Sequence, residues 1–131
     1  MAAVPQAIVL YDADCGFCVW LLAWLLRADR RHELRPLALQ TSEANALLAD
    51  LTPPERMASW HLIAPNGERT SAGAALAEAT ALLPGGTKPA AALRRMPRLT
   101  ERAYRWVADH RTMLSKLVPA AAKARAARRV A

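Results

Sequence analysis

The sequence is short of cysteine, of long apolar runs and, toward its end, of acids, and each shortage excludes something. Of its 131 residues only two are cysteines, Cys15 and Cys18. A small secreted domain stapled by disulfides carries more of them at wider spacings. A closed zinc site needs two ligands beyond this pair, and His32, His61 and His110 stand isolated, so neither metal nor cofactor is expected. The longest uninterrupted apolar run, Phe17 to Leu26, has ten residues, against about twenty for a membrane-spanning helix. Met1 to Gln6 lacks a basic segment followed by an apolar stretch, so no signal peptide is expected and the chain reads as cytoplasmic.

What is present describes a globular chain. With 53% hydrophobic and 22% charged residues, it is large enough to bury one core. Charge is divided unevenly. Residues 1–87 carry six Arg against nine acids, whereas residues 88–131 carry twelve Lys or Arg against two. The basic part suits weak contact with an anionic surface or an acidic partner, or else it is simply a solvated helical face. It lacks interleaved aromatics, so nucleic acid is not expected as a partner.

Ala7 to Tyr11 reads as a buried strand, stopped by Asp12-Ala13-Asp14. Cys15 to about Arg31 follows as a helix that is apolar nearly all round, which predicts burial on several sides, with Trp20 and Trp24 in the core. Leu34 to Leu39 alternates, and Pro36 assigns it to a sheet edge. Thr41 to Leu51 reads as a helix, and Thr52-Pro53-Pro54-Glu55 as a capping box. Ser59 to Ala64 and Glu68 to Thr70 flank Pro65-Asn66-Gly67 as a hairpin. Ser71 is placed to cap a helix over Ala72 to Leu83, ended by Pro84-Gly85-Gly86.

From about Lys88 the chain is helical and basic, divided at Pro97. A stripe from Ala103 through Trp106, Val107, Met113, Leu114 and Leu117 to Val118 should dock it on the domain. Residues 1–118 thus form one domain that includes this extension. Residues 119–131, Ala-rich and basic without an apolar face, should fray or be disordered. A βαβ unit followed by a ββα unit gives a mixed four-stranded sheet flanked by helices, an α/β fold of thioredoxin-like arrangement with the first strand central.

The chemistry sits where the first strand meets the first helix. A first helical turn offers free N–H groups and a positive dipole end, which stabilise a thiolate. Cys15 and Cys18, at i and i+3, can bring their sulfurs together, the first as attacker and the second as resolver. Asp12 is a candidate general base for Cys18, with a turn-forming role as the alternative; Asp14 is a candidate helix cap. His61 reads as a satisfied histidine, and Tyr104, Trp106 and Arg111 as helix docking or a partner face.

Tyr11-Asp12-Ala13-Asp14-Cys15-Gly16-Phe17-Cys18 resembles the D-x-x-C-x-x-C signature of the DCC (Asp-Cys-Cys) family of predicted thiol-disulfide oxidoreductases, with Asp12, Cys15 and Cys18 at its defining positions. Asp29-Arg30-Arg31, Leu37 to Gln40, Ser71-Ala72-Gly73-Ala74, Pro97, Tyr104 to Ala108 and Arg111 extend the resemblance over about residues 7–118. It implies a thioredoxin-like fold, dithiol–disulfide exchange, and a protein or small-molecule thiol or disulfide as substrate, with the electron donor left open. It departs from thioredoxin-like enzymes just before the third strand, where Met57-Ala58 stand in the place of a proline. Strand-D-x-D is also similar to the nucleophile loop of haloacid dehalogenases, but Gly16 stands where that family has Thr or Val. The reading opposed to an oxidoreductase is a non-catalytic thioredoxin-like adaptor with a basic helical face.

Overall fold

The computed structural model describes residues 6–130. Strand β1 (Ala7–Tyr11) leads into helix α1 (Gly16–Ala28), which crosses over to strand β2 (Leu34–Ala38), parallel to β1. Short helices α2 (Ser42–Leu47) and α3 (Pro53–Met57) precede the hairpin of β3 (His61–Ile63) and β4 (Arg69–Ser71). Strand β3 pairs antiparallel with both β1 and β4, so the sheet runs β2-β1-β3-β4 with β1 inside and the Pro36 strand at one edge, as expected.

The turns follow their residues. Asp29 is buried, and its carboxylate accepts from the backbone N–H groups of Glu33 at 3.0 Å and Leu34 at 2.9 Å. That pair of bonds stops α1 short of Arg31 and aims the chain into β2. The Thr52–Glu55 capping box forms in both directions. At the hairpin Gly67 takes φ +89°, and Asn66 Oδ1 accepts from Glu68 N at 2.9 Å.

Alternation along β1 builds two cores. Ala7 and Val9 face a cluster with Val19, Leu22 and Ala23 of α1 and Ala75 and Ala79 of the next helix, α4 (Ala72–Leu82). Leu10 faces the opposite side, against Leu39, Ala44 and Leu48. Helices α5 (Thr87–Arg95) and α6 (Pro97–Asp109) pack on α4. The α4–α6 approach depends on Gly73, where a Cβ would stand 3.0 Å from Glu101 Cα. Helices α7 (Arg111–Lys116) and α8 (Ala120–Val130) then return to α1. The architecture is α/β with a mixed four-stranded sheet and flanking helices, consistent with the thioredoxin-like class.

Four expectations are corrected. Residues 120–130 do not fray: they form α8, which lies on α1 and buries Ala126 and Val130 in the first cluster. Small alanines let the helix axis approach closely, and basic stems cover the seam without a wide apolar stripe; Ala131 lies outside the described residues. The docking stripe is only partly used: Val118 is buried, but Trp106, Met113 and Leu117 are exposed. Trp24 is 54% exposed, because α1 is covered on some sides only, while Trp20 packs against the core. Ser71 makes no capping bond, its hydroxyl being 2.6 Å from His61 Nδ1; His61 is buried and satisfied, with Nε2 2.9 Å from Arg56 O.

Placing a charge in the α1–α8 seam tests whether α8 is structural. Ala126→Asp should lower stability by about 2–4 kcal/mol, the cost of an unpaired carboxylate in an apolar site. Thermal unfolding read by circular dichroism checks it, and an unchanged midpoint would mean that α8 contributes nothing to the core.

Candidate active site

The Asp12–Asp14 turn is built before any cysteine chemistry begins. Asp12 Oδ1 accepts from Asp14 N at 2.9 Å and from Gln40 Nε2 at 2.8 Å. Gln40 Oε1 in turn accepts from Ala13 N at 3.2 Å. Gln40, just past β2, therefore clamps the loop from the neighbouring strand. Asp12 takes the turn-forming role with one oxygen, and among the described residues no protein donor reaches the other.

The turn delivers Cys15 as the N-cap of α1, with φ −98° and ψ 101°. Asp14 is not the cap. The cap acceptor is sulfur, Cys15 Sγ receiving the backbone N–H of Cys18 at 3.3 Å. Both cysteines are free of disulfide bonding and half-buried. Cys15 lies at the positive end of α1, where a thiolate is favoured.

The two thiols are driven apart in acidity. The Cys15 thiol is lowered from 9.0 to about 6, first by hydrogen bonding to the Cys18 thiol, against burial, and then by the Cys18 backbone N–H and the charge of Arg111. The Asp12 carboxylate opposes this. The Cys18 thiol is pushed well above the usual thiol range, first because its proton is held on Cys15, then by burial and by repulsion from the Cys15 thiolate. One site thus holds a thiolate and, beside it, a protonated thiol.

Two neighbours come from distant parts of the chain. Arg111, at the start of α7, is exposed, and its positive charge favours the thiolate at both cysteines. Tyr104 of α6 accepts the backbone N–H of Trp60 at 3.2 Å, anchoring α6 to the sheet. It also stands near enough to Cys18 that a thiolate there raises the Tyr104 hydroxyl further, burial being the larger cause. Neither residue is identifiable as part of the site from spacing; their place in the family resemblance is the sequence signal for them. Lys123 of α8 lies across Gly16, where a Cβ would come 3.3 Å from Lys123 Cδ, so the dipeptide between the cysteines is small on that side.

Asp12, Cys15 and Cys18 are thus gathered at the carboxyl end of β1, where open α/β sheets collect their sites. Among the described residues no helix is long and apolar enough to cross a membrane. Neither a curated protein nor a solved structure matches the chain. Residues 9–117, from the middle of β1 through the paired cysteines to beyond Arg111, match the DCC1-like thiol-disulfide oxidoreductase family, and by that match the chain belongs to it.

Proposed function

We propose that the protein exchanges electrons between Cys15–Cys18 and a protein or small-molecule thiol or disulfide in the cytoplasm. The observation that carries this reading is the split pair: a helix-capping thiolate at Cys15 next to a protonated Cys18. In the reducing direction the Cys15 thiolate attacks one sulfur of a substrate disulfide. A Cys15–substrate disulfide forms and the other substrate sulfur leaves as a thiolate. Cys18 then gives its proton to Asp12 and attacks Cys15 Sγ. The substrate's second thiolate leaves, and the Cys15–Cys18 disulfide remains. Two electrons have passed from the pair to the substrate, and an external dithiol restores the pair. The oxidising direction runs the same steps backward.

Asp12 suits the proton step because its carboxylate repels a thiolate at Cys18. Accepting the proton neutralises that carboxylate, so transfer removes the repulsion at the moment the thiolate forms. A non-catalytic adaptor would have no use for this arrangement.

Equilibration in glutathione buffers, followed by alkylation and mass measurement, tests the reading. The expected result is a reversible loss of about 2 Da with one two-electron midpoint. Thiols that stay reduced in mildly oxidising buffer, with the fold intact, would exclude the oxidoreductase.

A further inference from the structure

Helix α1 carries a second surface on another side from the cysteines. At about 100° per residue, Phe17, Trp20, Trp24 and Arg27 fall within a stripe of about 80°, and Cys15 and Cys18 project about 100° or more away from it. The stripe lines an open groove of about 860 Å³, completed by Leu114 of α7, Leu117 just past its end and Ala122 of α8. Of the apolar lining, Trp24 and Leu117 stand exposed, whereas Phe17, Val118 and Ala126 are buried. Trp24 is 54% and Leu117 77% accessible, and Leu21 and Met113, one turn from them on their own helices, are exposed too.

The charged residues of the groove are of one sign. Arg27, Arg125, Arg128 and Arg129 line it, and no Asp or Glu does. The four ion pairs among the described residues use other arginines. Arg27 instead lies 4.8 Å over the Trp24 ring. Residues 110–130 hold six Lys or Arg and no acid.

We propose that this face docks on an anionic phospholipid bilayer surface. Trp24 and Leu117 enter the headgroup region, and Arg125, Arg128 and Arg129 meet lipid phosphates. Tryptophan settles at headgroup depth because its ring is apolar and its N–H polar. Arginine meets phosphate through a planar fork of donors. An apolar strip edged by unpaired cations is the pattern of an interfacial rather than a spanning element. An acidic protein could satisfy the charges; apolar side chains standing exposed on two helices favour the lipid surface. The cysteines, on a different side of α1, remain open to solvent-borne substrates.

Co-sedimentation of the full chain with vesicles tests this. Binding is expected to phosphatidylcholine containing about 30% phosphatidylglycerol and not to phosphatidylcholine alone. Raising salt from about 0.1 M to about 0.5 M should weaken it strongly, as screening shortens the reach of the arginines. The triple variant Arg125→Glu/Arg128→Glu/Arg129→Glu should bind about tenfold or more weakly, and Trp24→Ala, an exposed site, a few-fold more weakly. The same reversal at Arg95, Arg98 and Arg102 should have little effect. Equal losses from both triple variants would overturn the groove in favour of general basicity. No partition onto anionic vesicles would overturn the bilayer and leave the groove to an acidic protein. A dimer in sedimentation velocity that Trp24→Ala dissolves would assign it to a second copy. Cys15→Ser should bind vesicles unchanged, so failure here and failure of the redox reading are distinguishable.

Discussion

Cys18→Ser protein mixed with a disulfide substrate should accumulate a covalent adduct on Cys15, while Cys15→Ser protein should form none. The expected difference is all-or-none, because the two sulfurs are not equivalent. At pH 7 a thiol near 6 is about nine-tenths thiolate, whereas an ordinary thiol near 9.0 is about one-hundredth. Cys15 is the sulfur held ionised, first by the Cys18 thiol and then by the Cys18 N–H at the helix start and by Arg111, and Cys18 is the one that keeps its proton. On the proposed reading attack begins at Cys15, and Cys18 releases the product. Asp12→Asn should separate the steps further. Loss of the repelling carboxylate leaves attack nearly unchanged, since Cys15 is already mostly thiolate, while loss of the proton acceptor slows release by about 10²–10⁴-fold. Non-reducing electrophoresis and mass spectrometry of the trapped species read both effects. Equal adducts on the two cysteine variants would reject the assignment of attacker and resolver, and Asp12→Asn release at the native rate would remove Asp12 from the proton step.

The parts of this site that are local in sequence were legible there, and the parts that depend on distant packing were not. Asp12, Cys15 and Cys18 lie within one turn and one helix start, so their grouping follows from β1 ending where the polar run begins. The Pro36 edge and the hairpin follow from single residues whose backbone demands are stringent. Arg111 is different. Its charge acts on the thiols only because α6 packs on α4 and α7 on α1, and no spacing rule links it to Cys15. Helix α8 was missed for a related reason. Ala126 and Val130 bury little area each, so their periodicity is faint beside Lys123, Arg125, Arg128 and Arg129, yet they seal one side of α1. Trp24 errs in the other direction. A helix apolar all round signals burial on every side, and α1 leaves Leu21 and Trp24 uncovered. Ser71 sits at a helix start but spends its hydroxyl on a buried histidine, a partner ten residues upstream that only the β3–β4 pairing supplies.

The rate of Cys15 alkylation should rise with pH along a curve centred near 6, three units below an ordinary thiol. The causes rank the variants. Cys18→Ala removes the largest influence and should move the midpoint upward most. Cys18→Ser keeps a hydroxyl donor and should move it less. Arg111→Gln removes a smaller contribution and should raise it slightly, while Asp12→Asn should lower it. The same titration governs stability and potential. Because the folded value of Cys15 lies below the unfolded one, the reduced protein gains stability as pH rises from about 6 toward 9.0. Above that range Cys18 reverses the slope, since it stays protonated in the fold while the unfolded thiol ionises. The disulfide form has neither thiol to titrate. Reduction therefore consumes two protons below about pH 6 and one above it. The midpoint potential should fall by about 59 mV per pH unit on the acid side and about 30 mV on the other, for a two-electron couple. A break near 6 that moves upward in Arg111→Gln, which keeps both sulfurs, would tie potential, reactivity and the helix-capping sulfur to one ionisation. A single slope through neutral pH would mean that Cys15 is not held as a thiolate, and the split between the two sulfurs, on which attacker and resolver both depend, would be lost.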